Sequence, residues 1–177
     1  MKLQRDNALL VVIDVQQKLM PVIDSADDVT RNIERLVRGA HVLGVPALVT
    51  EQYVKGLGPT IDPVRIAFEE TSGYRPLEKM CFSAAEQLAP LGRTQILVAG
   101  VETHVCVYQT VLDLLRANLE VTVVADAVSS RAPRNREIGL QRMVSEGAKL
   151  SSTEMALFEL LGVSGTDEFR AISRLVK

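Results

Sequence analysis

The stretch TQILVAGVETHVCVYQT, residues 94–110, decides the fold. Its first half is an unbroken apolar run, the pattern of a strand covered on both faces; its second half takes up helical spacing. A buried strand running straight into a helix is the repeating unit of a parallel α/β sheet. Cys106 falls one turn inside that helix. With Thr103 read as the N-cap, Cys106 is the third helical residue, close to unpaired backbone N–H groups and the positive helix end, which favour a thiolate. The competing reading is plain packing, because cysteine is among the most buried residue types.

Outward from this stretch the same alternation recurs. ALLVVIDV (8–15) is a second continuous apolar run, closed by Asp14. Val29, Ile33, Leu36, Val37, Ala40 and Leu43 then repeat at helical spacing, and Gly44 can end the helix. VPALVT (45–50) is the next strand. Residues 51–74 carry glycines, prolines and weak periodicity and read as a long loop with a short helical turn; loops of that length in a domain are usually functional. RPLEKM reads as a short strand, SAAEQLAPLG as a short helix and EVTVVADAV as another strand. Pro133 can open a helix with Ile138, Leu140, Met143 and Val144 on its inner side and Gly147 at its end. AKLSS is a weak last strand, Ser151 and Glu154 have the spacing of a capping box, and Thr166 or Asp167 can cap the final helix. The pattern predicts one α/β domain over residues 1–177, with a doubly wound, mainly parallel sheet between two helical layers. Such sheets bind ligands beyond the carboxyl ends of their strands.

Composition narrows the function. An apolar share of 47% with 24% charged residues belongs to a globular chain, and with four Phe, three Tyr and no Trp its core is expected to be aliphatic. Lys+Arg is 20 against Asp+Glu 22, so the net charge of -2 offers no basic stripe for a nucleic acid. No segment approaches the roughly 20 apolar residues that cross a bilayer. The start MKLQRDNALLVVIDVQ has an aspartate in its apolar run and lacks a small-residue cleavage site, so a cytoplasmic location is expected. Two cysteines, Cys81 and Cys106, make neither a disulfide framework nor a zinc site. Cys81, between Met80 and Phe82, reads as packing, with pocket lining as the lesser alternative.

Asp14, Lys79 and Cys106 each stand at the carboxyl end of a predicted strand and can meet at one sheet edge. Strand alternation puts Glu78 and Lys79 on opposite sides. A cysteine can attack an electrophilic carbon, a carboxylate can take its proton, and an ammonium can keep the other two charged. Backbone N–H groups at the start of the Cys106 helix can receive negative charge developing on a carbonyl oxygen. His104 lies two residues from Cys106 and points elsewhere on a helix, which makes it a surface or supporting residue; His41 has no chemical company.

At these residues the chain resembles the isochorismatase-like cysteine hydrolases, the superfamily that includes nicotinamidases and N-carbamoylsarcosine amidohydrolases. The likeness is carried by LLVVIDVQQKLM, PLEKMCFSA, ILVAGVETHVCVYQTVLDLL and VTVVADAVSSR, in that order, nearly end to end. It implies a three-layer α/β/α, Rossmann-like fold with a six-stranded, mainly parallel sheet. It further implies Asp14 as base, Lys79 as third member and Cys106 as nucleophile, with a cis peptide at Val101–Glu102 that helps aim backbone donors at an oxyanion. The family chemistry is attack on an amide-like carbonyl, loss of ammonia or amine, and hydrolysis of the thioester. True isochorismatases lack the cysteine, and VTEQYVKGLGPT supplies Glu51, Gln52 and Tyr53 where nicotinamidases carry an Asp-x-His metal pattern, so no metal and no cofactor are implied. TEQY and GLGPT resemble the compact isochorismatase-domain subgroup. Gln52, Tyr53, Glu102 and Val105 are the substrate-facing candidates, and a homo-oligomer is common in the family. The expected function is metal-independent hydrolysis of a C–N bond in a small amide or carbamoyl compound. The alternatives are a noncatalytic small-ligand or protein-interaction domain on the same fold, and redox sensing with Cys81 as resolving thiol.

Overall fold

A computed structural model describes residues 2–88 and 92–177. Strand β1 (Ala8–Ile13) is buried along its whole length because both its faces are covered, which is why its sequence is continuously apolar rather than alternating. It is central in a six-stranded sheet of order β3-β2-β1-β4-β5-β6, where β2 is Ala47–Gln52, β3 Leu77–Lys79, β4 Gln95–Val101, β5 Glu120–Ser129 and β6 Lys149–Ser151. Every neighbouring pair is parallel. The three-layer α/β/α arrangement is thus the one the alternation implies.

Side chains alternate across the sheet into two cores. Leu10, Val12 and Leu97 meet Ile33 and Leu36 of α1 (Ala26–Val42), Phe68 of α3 (Asp62–Glu69), Leu157 of α7 (Thr153–Leu161) and Ile172 of α8 (Asp167–Leu175). Leu9, Val11, Ile13, Ile96 and Val98 face the other way, onto Leu88 of α4 (Ala85–Leu88), Val111 and Leu114 of α5 (Tyr108–Arg116) and Met143 of α6 (Pro133–Ser145). The order runs outward from β1 in both directions, so the chain segments following β1 and β4 diverge and leave a crevice between them.

The course of residues 51–74 differs from the expected loop. Strand β2 runs on through Gln52, and two helices follow, α2 (Val54–Leu57) and α3. Pro63 in the first turn of α3 and the buried Val64, Ala67 and Phe68 give that helix a start and an apolar face. The connection is pinned by two buried side chains. Gln16 Nε2 donates to the carbonyls of Gln52 at 2.9 Å and Gly58 at 2.6 Å, while its Oε1 accepts from Gln52 N at 2.8 Å. Glu51 Oε1 accepts from Thr60 N at 2.6 Å, from Thr60 Oγ1 at 2.8 Å and from the Tyr74 hydroxyl. Burial and that carboxylate push the Tyr74 phenol up to about 12.

Smaller corrections have local causes. Ser152, not Ser151, caps α7, its hydroxyl accepting from Met155 N; Thr166 caps α8. Ile138 and Val144 are exposed, and the buried face of α6 is made by Gly139 and Met143. Gly139 allows the close approach there, since a Cβ would stand a tight 3.2 Å from the backbone of Thr103 and His104. The end of the predicted SAAEQLAPLG helix, residues 89–91, lies outside the described residues.

Gly100 marks the tightest approach in the sheet. It has φ +114°, pairs with Ile13, and a Cβ there would lie 2.1 Å from the Ile13 carbonyl oxygen. Gly100→Ala is expected to destabilise by on the order of 3 kcal/mol or more, because backbone must move. At Gly147, with positive φ but open space, alanine is expected to cost only about 1 kcal/mol. Urea midpoints check this, and equal losses would refute the steric account. Glu51→Ala strips Thr60 and Tyr74 of their buried acceptor, a penalty of about 1–3 kcal/mol. It should speed hydrogen exchange over residues 54–60 relative to β1 and β4; unchanged relative exchange would show that the segment is held by other contacts.

Candidate active site

Asp14 follows β1 directly, in the left-handed conformation at φ 51°, and its carboxylate is wholly buried. Its Oδ1 accepts from Thr50 Oγ1 at 2.7 Å and its Oδ2 from Lys79 Nζ at 2.6 Å. The Lys79 and Asp14 side chains are 1% and 0% exposed, so the pair is screened from water on all sides. Lys79 Nζ also donates to the Phe82 carbonyl at 2.9 Å and the Cys81 carbonyl at 3.3 Å. All three ammonium protons therefore have acceptors, the condition under which a buried ion pair is tolerated. Glu78, one residue earlier on β3, is exposed, as strand alternation requires.

Between β4 and α5 the chain makes a π-helical turn, Thr103–Val107. The cap position is Glu102, whose carbonyl accepts from the N–H groups of Val105 and Val107 at 3.0 and 3.3 Å, so Thr103 is the first residue of the turn rather than the cap. The Val101–Glu102 peptide is cis. Cys106 sits within this turn, buried, with its Sγ donating to Gln52 Oε1 at 3.2 Å. Its carbonyl accepts from Thr110 Oγ1, which in turn accepts from Ala84 N.

The charge balance at this thiol reverses the expectation drawn from a helix N-terminus. Burial pushes the Cys106 thiol well up from its ordinary value, and the Asp14 and Glu102 carboxylates push the same way; only the Lys79 ammonium pulls it down. The balance favours the neutral thiol over the thiolate. The Asp14–Lys79 contact and the Cys106–Gln52 contact are two separate pairs.

Gln52, Tyr53, Glu102 and Val105 line a cavity of about 220 Å³ together with Cys106. Leu19, Leu57 and Phe82 complete its wall, residues that sequence reasoning did not single out. Their signal was weak: each is an apolar residue in a connection. Gln52 is positioned by Gln16 through the β2 backbone, and Tyr53 follows at φ 42° with 51% exposure. Glu102 Oε2 accepts from Arg131 N at 2.9 Å and Arg131 Nε at 3.1 Å, a contact also missed from sequence.

His104 stands apart from the cavity, its Nδ1 3.0 Å from Ser130 Oγ and its Nε2 3.4 Å from Asn135 Nδ2; His41 is exposed. Cys81 corrects the packing expectation. It is exposed, just beyond the end of β3 at Lys79, as Met80 is. Among the described residues, no three His, Cys, Asp or Glu side chains could hold a metal ion, and no helix is long and apolar enough to cross a membrane.

Comparison with known proteins agrees with this architecture. The family model described as the isochorismatase domain matches residues 8–155. Isochorismatase domain-containing protein 2A of Mus musculus is 36% identical, over 97% of this chain and 84% of its own length. Among solved structures, the MAR1 ribonuclease of Caenorhabditis elegans superposes with a TM-score of 0.92 at 31% identity, covering 99% of this chain and 92% of that one. YcaC from Pseudomonas aeruginosa, solved with hexane-2,5-diol and covalent acrylamide, gives 0.87 at 25% identity, covering 97% and 89%. A family match across most of the chain, joined to a parallel sheet whose strand ends gather a buried ion pair and a buried thiol, shows that this protein belongs to the isochorismatase-like cysteine hydrolase superfamily.

Proposed function

We propose that the protein hydrolyses a C–N bond in a small amide or carbamoyl compound without a metal, using Cys106 as nucleophile, Asp14 as base and Lys79 as the cation that holds the base ionised. The observation that carries this reading is the thiol of Cys106 in the wall of a 220 Å³ cavity, under the electrostatic influence of both Asp14 and Lys79. Because the resting thiol is neutral, its proton leaves for Asp14 as the sulfur attacks the carbonyl carbon. The oxyanion formed is received by backbone N–H groups of the turn at Glu102–Cys106. Collapse of the tetrahedral intermediate expels the amine, which takes the proton from Asp14 and leaves a thioester. Water then attacks the thioester, giving one proton to Asp14. Release of the acid returns that proton to the sulfur, so that amide and water become acid and amine.

The YcaC structure supports a reactive nucleophile by analogy, since it holds acrylamide, a small electrophilic amide, covalently. The C. elegans neighbour is named a ribonuclease, but among the described residues no cationic side chain lines the cavity here, and 220 Å³ is too small for a phosphodiester chain. A ligand-binding role without turnover is the second reading, favoured by the same upward shift of the thiol. The reading extends to one domain over residues 1–177, to a cytoplasmic setting, and to self-association through exposed apolar residues such as Ile138 and Val144. Light scattering tests the last point: the mass of a single chain would refute it.

Cys106→Ala is expected to abolish turnover across a panel of small amides while leaving the circular dichroism spectrum unchanged; retained turnover would sink the nucleophile assignment, and a wild type that binds amides but hydrolyses none would establish the second reading. The pH profile of Cys106 alkylation gives a further check. Its midpoint should lie above that of an ordinary thiol. Asp14→Asn removes a negative charge and should move it down, whereas Lys79→Met removes the compensating cation and should move it up. Asp14→Asn should nonetheless lower kcat by about a hundredfold or more if Asp14 is the base. A midpoint unmoved in both variants would disprove the electrostatic coupling.

A further inference from the structure

Two hollows meet at Tyr53. The Cys106 cavity of about 220 Å³ has Tyr53 and Phe82 as its most exposed lining residues, at 51% and 49%, so two aromatic rings mark its mouth. Beside it lies a second hollow of about 430 Å³, lined by Tyr53, Val54, Lys55, Glu78, Lys79 and Met80. Tyr53 is common to both walls, and its apolar neighbour in the outer hollow, Met80, is 73% exposed. Taken alone, the inner cavity is smaller than the roughly 300–1,000 Å³ of ordinary small-molecule sites; continued past Tyr53 into the outer hollow, it falls within that range. Large apolar side chains left in water around the mouth of a cavity are the mark of a binding surface rather than of packing.

Tyr53 is held in place rather than loosely exposed. Its backbone is left-handed at φ 42°, a conformation uncommon for a bulky residue. Its N–H donates to the Lys79 carbonyl at 3.0 Å, and its own carbonyl accepts from Gly56 N at 2.8 Å and Leu57 N at 3.0 Å. The ring lies against Gly56, where a Cβ would stand 2.1 Å from Tyr53 Cε1 and 2.3 Å from Cδ1, so only glycine lets the ring take this position. Backbone strain kept at a residue shared by two hollows points to recognition.

We propose that Tyr53 divides a two-part substrate site: the reacting amide sits in the Cys106 cavity, and an aromatic group attached to it passes the mouth, packs on the Tyr53 ring and rests against Met80 in the outer hollow. The substrate class is thus a small amide or carbamoyl compound bearing an aromatic ring. The inference rests on the reading of Cys106 as the reactive thiol of the inner cavity. Rings at the mouth favour a ring in the ligand, since offset or edge-to-face contact adds to the apolar area removed from water.

Alkylation by iodoacetamide and by N-benzyl-iodoacetamide tests this without requiring turnover. In each reaction the sulfur forms an S–C bond as iodide leaves and the thiol proton passes to solvent; the reagents differ only in the benzyl group. Glutathione serves as the reference thiol. The ratio of benzyl to parent rates, read at Cys106 by peptide mass spectrometry, should exceed that of glutathione by about tenfold or more. Two variants whose folding is checked by circular dichroism should bring it to within about threefold of glutathione: Tyr53→Ala removes the ring, and Gly56→Ala displaces it. A wild-type ratio equal to that of glutathione overturns the proposal. So does a ratio below it, the result expected if a second copy of the chain covers the patch, and so does a Cys106 that neither reagent labels. A raised ratio that survives in both variants overturns the assignment to Tyr53. Kinetics with butyramide and 4-phenylbutyramide separate this idea from the one it rests on. A raised alkylation ratio with hydrolysis of neither amide defeats the hydrolase reading and leaves the aromatic subsite standing. Hydrolysis of both at equal kcat/KM defeats the subsite and leaves the hydrolase reading standing.

Discussion

The buried contact between Lys79 and Asp14 is the constraint around which the carboxyl end of the sheet is organised. It joins the edge strand β3 to the central strand β1, with Thr50 of β2 bonded to the same carboxylate between them. Two charges withdrawn from water in this way are tolerable only when every donor and acceptor is occupied. That demand explains the path of the chain after β3, where the carbonyls of Cys81 and Phe82 turn inward to complete the ammonium shell. The turn in turn sends the Phe82 ring to the cavity wall and leaves Cys81 outside. One ion pair therefore fixes the ends of three strands and part of the wall beside the thiol.

Burial chiefly sets the electrical state of Cys106, and the same pair adjusts it. A lysine alone would draw out a thiolate; a lysine already neutralised by a closer carboxylate does so only weakly, and burial then prevails. Such a site keeps its sulfur protonated until an electrophile arrives. Under the chemistry proposed for Cys106, a protonated resting sulfur would separate storage of the nucleophile from its activation.

Much of this was legible in the residues. The runs read as covered strands at 8–15 and 94–100 are strands at 8–13 and 95–101, and the apolar spacing of α1 left one choice of inner face. The positions of Asp14, Lys79 and Cys106 at strand ends followed from those assignments. Local patterns failed where tertiary contacts decide. The helix Asp62–Glu69 is short and lies among turn residues, so its three buried side chains made no visible period. Ile138 and Val144 obey helical spacing yet face outward, because the contact with the Thr103 turn falls on Gly139. The thiol was misjudged for the same reason. Capping geometry is local, whereas the burial that chiefly opposes ionisation, and the Asp14 carboxylate that adds to it, come from distant parts of the chain and are invisible to any window around Cys106.

The grip of Gln16 and Glu51 on the segment after β2 is directed mostly at backbone: the carbonyls of Gln52 and Gly58 and the N–H groups of Gln52 and Thr60. Backbone groups are the same whatever side chains the segment carries. Tyr53 and Leu57, which face the cavity, are therefore free to be exchanged without disturbing either core, provided the turn geometry survives. The fold holds this part of its cavity wall as a replaceable insert on a fixed chassis, and descendants of this chain could acquire new chemistries of recognition by editing fewer than ten consecutive positions.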